Sequence, residues 1–67
     1  MTTRLTMPSY KLTYADAIEV WLFHWNGYLQ SRIAAMFDVN QGRISEVLKE
    51  RTFVGSRTDA LKRKSAA

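Results

Sequence analysis

The pattern that most constrains the fold lies between residues 30 and 49, QSRIAAMFDVNQGRISEVLK. Two apolar runs with helical spacing are separated by a few residues around Asp38. The fifth place, Ala34, must be small, because two helices that cross there at a steep angle bring their backbones close together. The apolar residues expected to fill the wedge between these helices and to meet a third helix are Ile33, Phe37, Val39, Ile44 and Val47. The segment therefore predicts two short helices, near residues 29 to 37 and 41 to 51, joined by a tight turn.

This spacing resembles the DNA-binding helix-turn-helix of phage repressors, bacterial regulators and the homeodomain-like domains of recombinases. The resemblance covers the twenty residues of this segment out of 67, together with a supporting helix upstream. It departs at the ninth place, Asp38, where that family often has Gly because the turn residue is left-handed. Asp tolerates this backbone conformation better than most non-glycine residues, so we expect the turn to form here as well. The residues alone leave open an ordinary helical hairpin without a ligand.

An amphipathic helix is predicted upstream of this segment, near residues 14 to 25. Thr13 and Asp16 have the spacing of a capping box, although Asp replaces the more usual Glu or Gln. Asn26 and Gly27 would end the helix. The apolar stripe along one face consists of Tyr14, Ile18, Trp21, Leu22 and Trp25. We expect this stripe to cover the two following helices.

Length and spacing predict an all-α protein, a small three-helix bundle with a helix-turn-helix. A chain of 67 residues is near the lower limit at which one hydrophobic core supports itself. We predict a flexible basic arm at residues 1 to 12, the DNA-binding domain at residues 13 to 55, and a basic C-terminal tail at residues 56 to 67. The tail either adds a short extra helix or stays disordered.

Charge favours a polyanionic partner, since the chain carries a formal net charge of +4 with a sequence pI of about 9.9. The absence of Cys excludes disulfides and thiolate metal sites, and His24 alone cannot hold zinc. No apolar run is long enough to span a membrane, and the N-terminus lacks the apolar core of a signal peptide. We therefore expect a cytoplasmic, nucleoid-associated bacterial or phage protein that contacts no membrane and needs no cofactor or metal.

No catalytic arrangement is predicted. Asp16, Glu19 and Asp38 do not have the spacing of a carboxylate metal cluster, and no Ser lies in a Gly-rich nucleophile turn. The phosphate-binding pattern GxxxxGK is also absent. We expect a protein that is not an enzyme and has no catalytic residues.

The second helix of the pair is expected to act as a recognition helix in the major groove. Gln41 suits adenine and Arg43 suits guanine, whereas Glu46 either accepts from a cytosine amino group or orients Arg43. Gly42 either lets the helix lie close to the bases or occupies a loose first turn. The predicted base-contacting residues are Gln41, Gly42, Arg43, Ser45, Glu46 and Lys49.

Phosphate contacts are predicted around this surface and in the tail. Gln30 and Ser31 open a helix whose free N–H groups suit a phosphate. The basic tail, with Arg4 and Lys11 of the arm, either adds salt-sensitive contacts or remains solvated charge. The predicted phosphate-contacting residues are Gln30, Ser31, Arg32, Asn40, Arg51, Arg57, Lys62, Arg63 and Lys64.

Phe23 lies opposite the apolar stripe of the first helix, with Val20 on its flank. An exposed aromatic of this size predicts a partner surface, either for a second copy of the chain or for the protein's own tail. The alternative is that Tyr10 or the tail covers Phe23 within the monomer.

Taken with the resemblance, these residues predict a sequence-specific regulator of transcription that binds double-stranded DNA, alone or as a homodimer. Two alternatives remain open. One is the DNA-binding module of a phage recombination, terminase or packaging system. The other is a protein-interaction module that contacts RNA polymerase.

Overall fold

All regular structure in the computed structural model, which describes residues 11–66, is helical. The four helices are α1 (Tyr14–Trp25), α2 (Gln30–Phe37), α3 (Gln41–Leu48) and α4 (Ser56–Ala66), and no strand occurs within the described range. The all-α prediction is confirmed. Most of the predicted arm, with Arg4 and Tyr10, lies outside the described residues; Lys11 is exposed and Leu12 packs against the core. None of the helices described here is long and apolar enough to cross a membrane.

α1 begins at the capping box that the sequence predicts. Thr13 Oγ1 accepts a hydrogen bond from the Asp16 N–H at 3.2 Å, and Asp16 Oδ2 accepts one from the Thr13 N–H at 3.0 Å. At the other end, Asn26 Nδ2 donates to the Leu22 carbonyl at 3.0 Å. Gly27 has a φ of +91°, which glycine adopts without steric cost. Both predicted ends of α1 are confirmed.

The core takes apolar side chains from all four helices. Its buried members are Ala17, Val20, Trp21, Ile33, Ala34, Ile44, Val47 and Ala60. Ala34, at the predicted crossing point, is only 4% exposed. The other predicted wedge residues are either buried or packed against this core: Ile33, Phe37, Val39, Ile44 and Val47. The interior predicted for the helix pair is confirmed.

The buried face of α1 is wider than the predicted stripe. Tyr14, a predicted member, is 39% exposed, whereas Ala17 and Val20 have no exposed surface. The physical reason is that α1 contacts all three other helices, so more of its circumference is covered. Val20, predicted to flank a partner surface, is therefore unavailable to a partner. Phe23 is half-buried within the described chain.

Two aromatic rings cover Phe23 from the side of α2. The Phe23 ring lies 5.2 Å from the Tyr28 ring and 6.3 Å from the Phe37 ring, measured between centroids. The predicted alternatives for its cover were Tyr10, which lies outside the described residues, and the tail. Phe37 and Tyr28 belong to α2 and to the loop before it, so Phe23 helps to hold α2 on α1.

α3 ends at Leu48, three residues before the end predicted near residue 51. Glu50 stops the helix because its φ is +58°, a left-handed conformation. The Glu50 N–H donates to the Val47 carbonyl at 3.0 Å, and the Arg51 N–H donates to the Glu46 carbonyl at 2.9 Å. These two bonds are the pattern of a Schellman turn, which satisfies carbonyls left free at the end of the helix.

α4 is joined to α1 by one buried and one exposed hydrogen bond. Trp21 Nε1 donates to Ser56 Oγ at 3.1 Å in the interior, and the Tyr14 hydroxyl donates to Asp59 Oδ2 at 2.6 Å at the surface. The hydrogen bond to Asp59 is the largest cause that raises the pKa of Tyr14, followed by desolvation and the negative charge of Asp59. The Tyr14 hydroxyl therefore stays a donor across the neutral range. Ala60 adds a fully buried methyl group to the core, so residues 56–66 form a packed helix.

We expect Ser56→Ala to lower the free energy of unfolding by about 1–3 kcal/mol, because the buried Trp21 N–H loses its acceptor. Thr58→Ala, which changes an exposed residue in the same turn of α4, is the matched control and should change the free energy by less than about 0.5 kcal/mol. Urea unfolding followed by tryptophan fluorescence measures both variants. Equal values would mean that the Trp21–Ser56 bond makes no net contribution.

Candidate nucleic-acid interface

The connection between α2 and α3 is a tight turn centred on Asp38. Asp38 has φ +56° and ψ +46°, so the predicted left-handed conformation is confirmed. The Val39 N–H donates to the Ala34 carbonyl at 3.0 Å, and the Asp38 N–H donates to the Ala35 carbonyl at 3.2 Å. This is again the Schellman pattern, which ends α2 and redirects the chain toward α3.

Asn40 and Gly42 form the start of α3. Asn40 Oδ1 accepts a hydrogen bond from the Gly42 N–H at 2.7 Å, so Asn40 is the N-cap. A Cβ atom added to Gly42 would lie 3.1 Å from the same oxygen. Gly42 therefore leaves room for the cap, a reason that the sequence alone does not reveal. The side-chain oxygen of Asn40, a predicted phosphate contact, is occupied by this bond.

The exposed face of α3 is centred on Gly42 and Lys49. At about 100° per residue, these two residues lie opposite Ile44 and Val47, which are buried against α1 and α2. The six predicted base-contacting residues all lie on exposed or half-buried positions: Gln41, Gly42, Arg43, Ser45, Glu46 and Lys49. The fold thus presents them as one outward surface.

Arg43 lies on the flank of this face and pairs with Glu46. Arg43 Nη1 is 3.4 Å from Glu46 Oε1, with the two side chains 66% and 41% exposed. An exposed pair of this kind adds little to stability, but it orients the guanidinium group and leaves most of its N–H donors free. Of the two predicted roles for Glu46, the structure shows the pairing with Arg43.

A shallow depression lies at the start of α2, lined by Asn26, Gly27, Tyr28, Leu29 and Arg32. Leu29 is the N-cap and has no side chain that could accept a hydrogen bond. The N–H groups of Gln30 and Ser31 therefore have no partner inside the helix. Arg32 is exposed one turn further along. Free helical N–H groups beside an arginine suit an anion such as a backbone phosphate.

The remaining predicted phosphate contacts are divided between two places. Arg51 is exposed in the linker after α3. Arg57, Lys62, Arg63 and Lys64 lie on α4, which contacts α1 but neither α2 nor α3. α2 and α3 pack against each other, whereas α4 and its cations contact neither of them.

Sequence reasoning missed two features of the α4 region. Arg57 lies over the Trp21 ring and Lys64 lies over the Trp25 ring. Spacing gives no signal for these pairs, because the two cations are two helical turns apart whereas the two tryptophans are one turn apart. The pairs can be recognised only once α4 is known to pack on α1.

Comparisons with protein-family models, with curated protein sequences and with solved structures gave no match. Among residues 11–66, no group of three or more His, Cys, Asp or Glu side chains could hold a metal ion. A functional proposal for this chain therefore depends on the geometry and charge of the described side chains.

We expect Asn40→Ala to lower the free energy of unfolding by about 1 kcal/mol, because the Gly42 N–H loses its cap. Asn40→Asp keeps an oxygen acceptor at this position and should retain most of the stability. Urea unfolding of both variants tests the cap. If the Asp variant loses as much stability as the Ala variant, the role of Asn40 is not capping.

Proposed function

We propose that α2, the turn at Asp38 and α3 form a helix-turn-helix supported by α1, and that the protein is a sequence-specific, double-stranded DNA-binding regulator of transcription. The observation that carries this proposal is the exposed face of α3. This face carries side chains that can form hydrogen bonds with base edges, and a glycine lies at its centre. It directly follows a turn that contains the left-handed residue such a motif requires. Ile44 and Val47 hold the opposite face of α3 in the core.

In the proposed complex, α3 lies in the major groove with its N-terminal half toward the bases. Gly42 lets the helix backbone approach closely. Gln41 bonds adenine and Arg43 bonds the O6 and N7 atoms of guanine, with Glu46 holding the guanidinium in place. Lys49 and Ser45 lie on the same outward face and add further contacts to base edges.

Backbone contacts fix the orientation of α3 in this arrangement. The start of α2 supplies the N–H groups of Gln30 and Ser31 together with Arg32, and Arg51 supplies a charge beyond the other end of α3. Asn40 contributes through its Nδ2 amide, because its oxygen caps α3.

The length of α3 limits how many bases one copy can read. Eight helical residues extend about 12 Å, which is roughly three to four base pairs at 3.4 Å each. A half-site of that length is short, so a homodimer or adjacent copies would supply the specificity that a genome demands. Occupation of a promoter or operator on the nucleoid would then regulate transcription.

A protein-interaction module that contacts RNA polymerase is the second candidate, and one observation favours it. Leu29 is 70% exposed and Met36 is 46% exposed. At about 100° per residue, both lie on the same side of α2 as Arg32. Binding through such a surface would be less sensitive to salt than binding to DNA.

Selection of binding sites from random duplex DNA tests the proposal, using the full chain at about 150 mM salt. We expect a winning sequence that is preferred over scrambled duplex by about a few hundredfold or more. A palindromic winner would indicate a dimer. Binding that is weak and indifferent to sequence would overturn the regulatory proposal, and salt-insensitive binding of polymerase in its place would favour the second candidate.

We expect Arg43→Ala to cost about 1–3 kcal/mol on the selected site and to flatten the preference at one base position. Arg32→Ala is the matched control, because it removes the same charge from a predicted phosphate contact. It should weaken binding to all sequences alike and lower the salt slope by about one. Titrations of selected and scrambled duplexes at several salt concentrations measure both; a uniform loss for Arg43→Ala would reassign Arg43 to the phosphates.

A further inference from the structure

α4 lies on the opposite flank of α1 from α2. Trp21 and Trp25 face α4, whereas Phe23 packs against Phe37 of α2. At about 100° per residue, these two directions around α1 differ by about 180°. Since α4 contacts neither α2 nor α3, its basic side chains form a surface separate from the exposed face of α3.

Two of the α4 cations are held on aromatic rings. Arg57 Cζ lies 5.9 Å from the centroid of Trp21, and Lys64 Nζ lies 5.5 Å from the centroid of Trp25. The face of a tryptophan ring attracts a cation, so each long side chain is restrained. Because a ring accepts no conventional hydrogen bond, the N–H donors of both cations stay available.

No carboxylate within residues 11–66 pairs with these cations. The one acidic residue of α4, Asp59, instead accepts the hydrogen bond of the Tyr14 hydroxyl. Lys62 and Arg63 are exposed on the same helix without a tryptophan beneath them. Within the described residues, Arg57 and Lys64 therefore have no carboxylate partner and are restrained, a combination that favours binding of an anionic partner.

The position and surroundings of this pair suit a phosphate backbone. The Cα atoms of Arg57 and Lys64 are seven residues apart, or about 10.5 Å along α4, so the two side chains can reach different phosphates of one strand. A membrane surface fits less well, because it would require an exposed apolar stripe, and Leu61 is the one large hydrophobic residue of α4 that is exposed.

We propose that Arg57 and Lys64, held on Trp21 and Trp25, form a second DNA contact that binds the phosphate backbone of a duplex without regard to sequence. This contact goes beyond the base-reading role of α3 and does not depend on it. The phosphate backbone that they bind belongs either to the flank of the duplex on α3 or to a second duplex. In both cases the two cations would recognise phosphate groups.

The test compares two double variants of the full chain on scrambled duplex, so that sequence reading by α3 does not enter. Arg57→Gln with Lys64→Gln should lower the slope of log affinity against log salt by about two, at about 0.9 per phosphate contact. Lys62→Gln with Arg63→Gln removes the same charge from the same helix and should lower the slope by less than half as much. Equal effects, or no effect of the first pair, would overturn the proposal.

Tryptophan fluorescence supplies a second readout, because Trp21 and Trp25 are the two tryptophans of the chain and both lie under the cations. Binding of scrambled duplex should change the emission of the wild type and not that of the Arg57→Gln, Lys64→Gln variant. If that variant does not fold, Lys64→Gln alone keeps Arg57 on Trp21 and should lower the salt slope by about one. An unchanged slope for this single variant would overturn the proposal.

Two further experiments identify which duplex supplies the phosphate backbone that Arg57 and Lys64 bind. Capture of a labelled duplex by an immobilised duplex, lost in the Arg57→Gln, Lys64→Gln variant, would assign the contact to a second duplex. A footprint on one duplex that shortens in this variant would assign the contact to the flank. If the variant changes neither the footprint nor the capture, the proposal is overturned. Failure of the α3 proposal would look different: the protein would show no sequence preference, but the Arg57→Gln, Lys64→Gln variant would still lower the salt slope.

Discussion

The packing of three helices around α1 is the constraint on which the rest of the structure depends. α1 is the one helix of the described chain that contacts all the others, and α4 has no other helical neighbour. Ala17 and Val20 are fully buried because small and medium side chains let these helices approach closely. Trp21 fills the space toward α4, where its N–H requires the acceptor that Ser56 supplies. A change on the inner side of α1 would therefore disturb both candidate DNA surfaces together.

α3 is bounded by left-handed residues on both sides, Asp38 before it and Glu50 after it. Neither is glycine, so each carries a steric cost that the surrounding packing must offset. Val39 directly follows Asp38, and Phe53 lies three residues after Glu50. Both side chains pack against the core and hold the turns in place. The length of α3 is thus fixed by tertiary packing as much as by helix propensity. Under the proposed function, the same two turns decide how many bases one copy can read.

Local rules were enough to predict the features that involve neighbouring residues. The capping box at Thr13, the left-handed Asp38 and the small Ala34 each follow from a spacing of a few residues. The features that were not predicted involve residues distant in sequence, such as Trp21 with Ser56 and Tyr14 with Asp59, which are 35 and 45 positions apart. Helical periodicity identifies one apolar face and does not show how many helices pack on α1. Val20 was therefore predicted to be exposed. The left-handed residue that ends α3 is Glu50 and not a glycine, so the sequence did not mark the end of the helix. The predicted end was therefore three residues too late.

Under the proposed function, the distribution of charge separates two tasks, reading the sequence of DNA and attracting its phosphate backbone. On α3 the charges are mixed, and Arg43 is paired with Glu46, so this face adds little net attraction for phosphate but offers several directional donors and acceptors. On α4 the cations have no carboxylate partner among the described residues, so their attraction is long-range and sensitive to salt. Specificity would then reside in α3 and much of the sequence-independent affinity in α4. Because α4 contacts α1 but not α3, affinity for DNA could change through α4 without changing the sequence that α3 prefers.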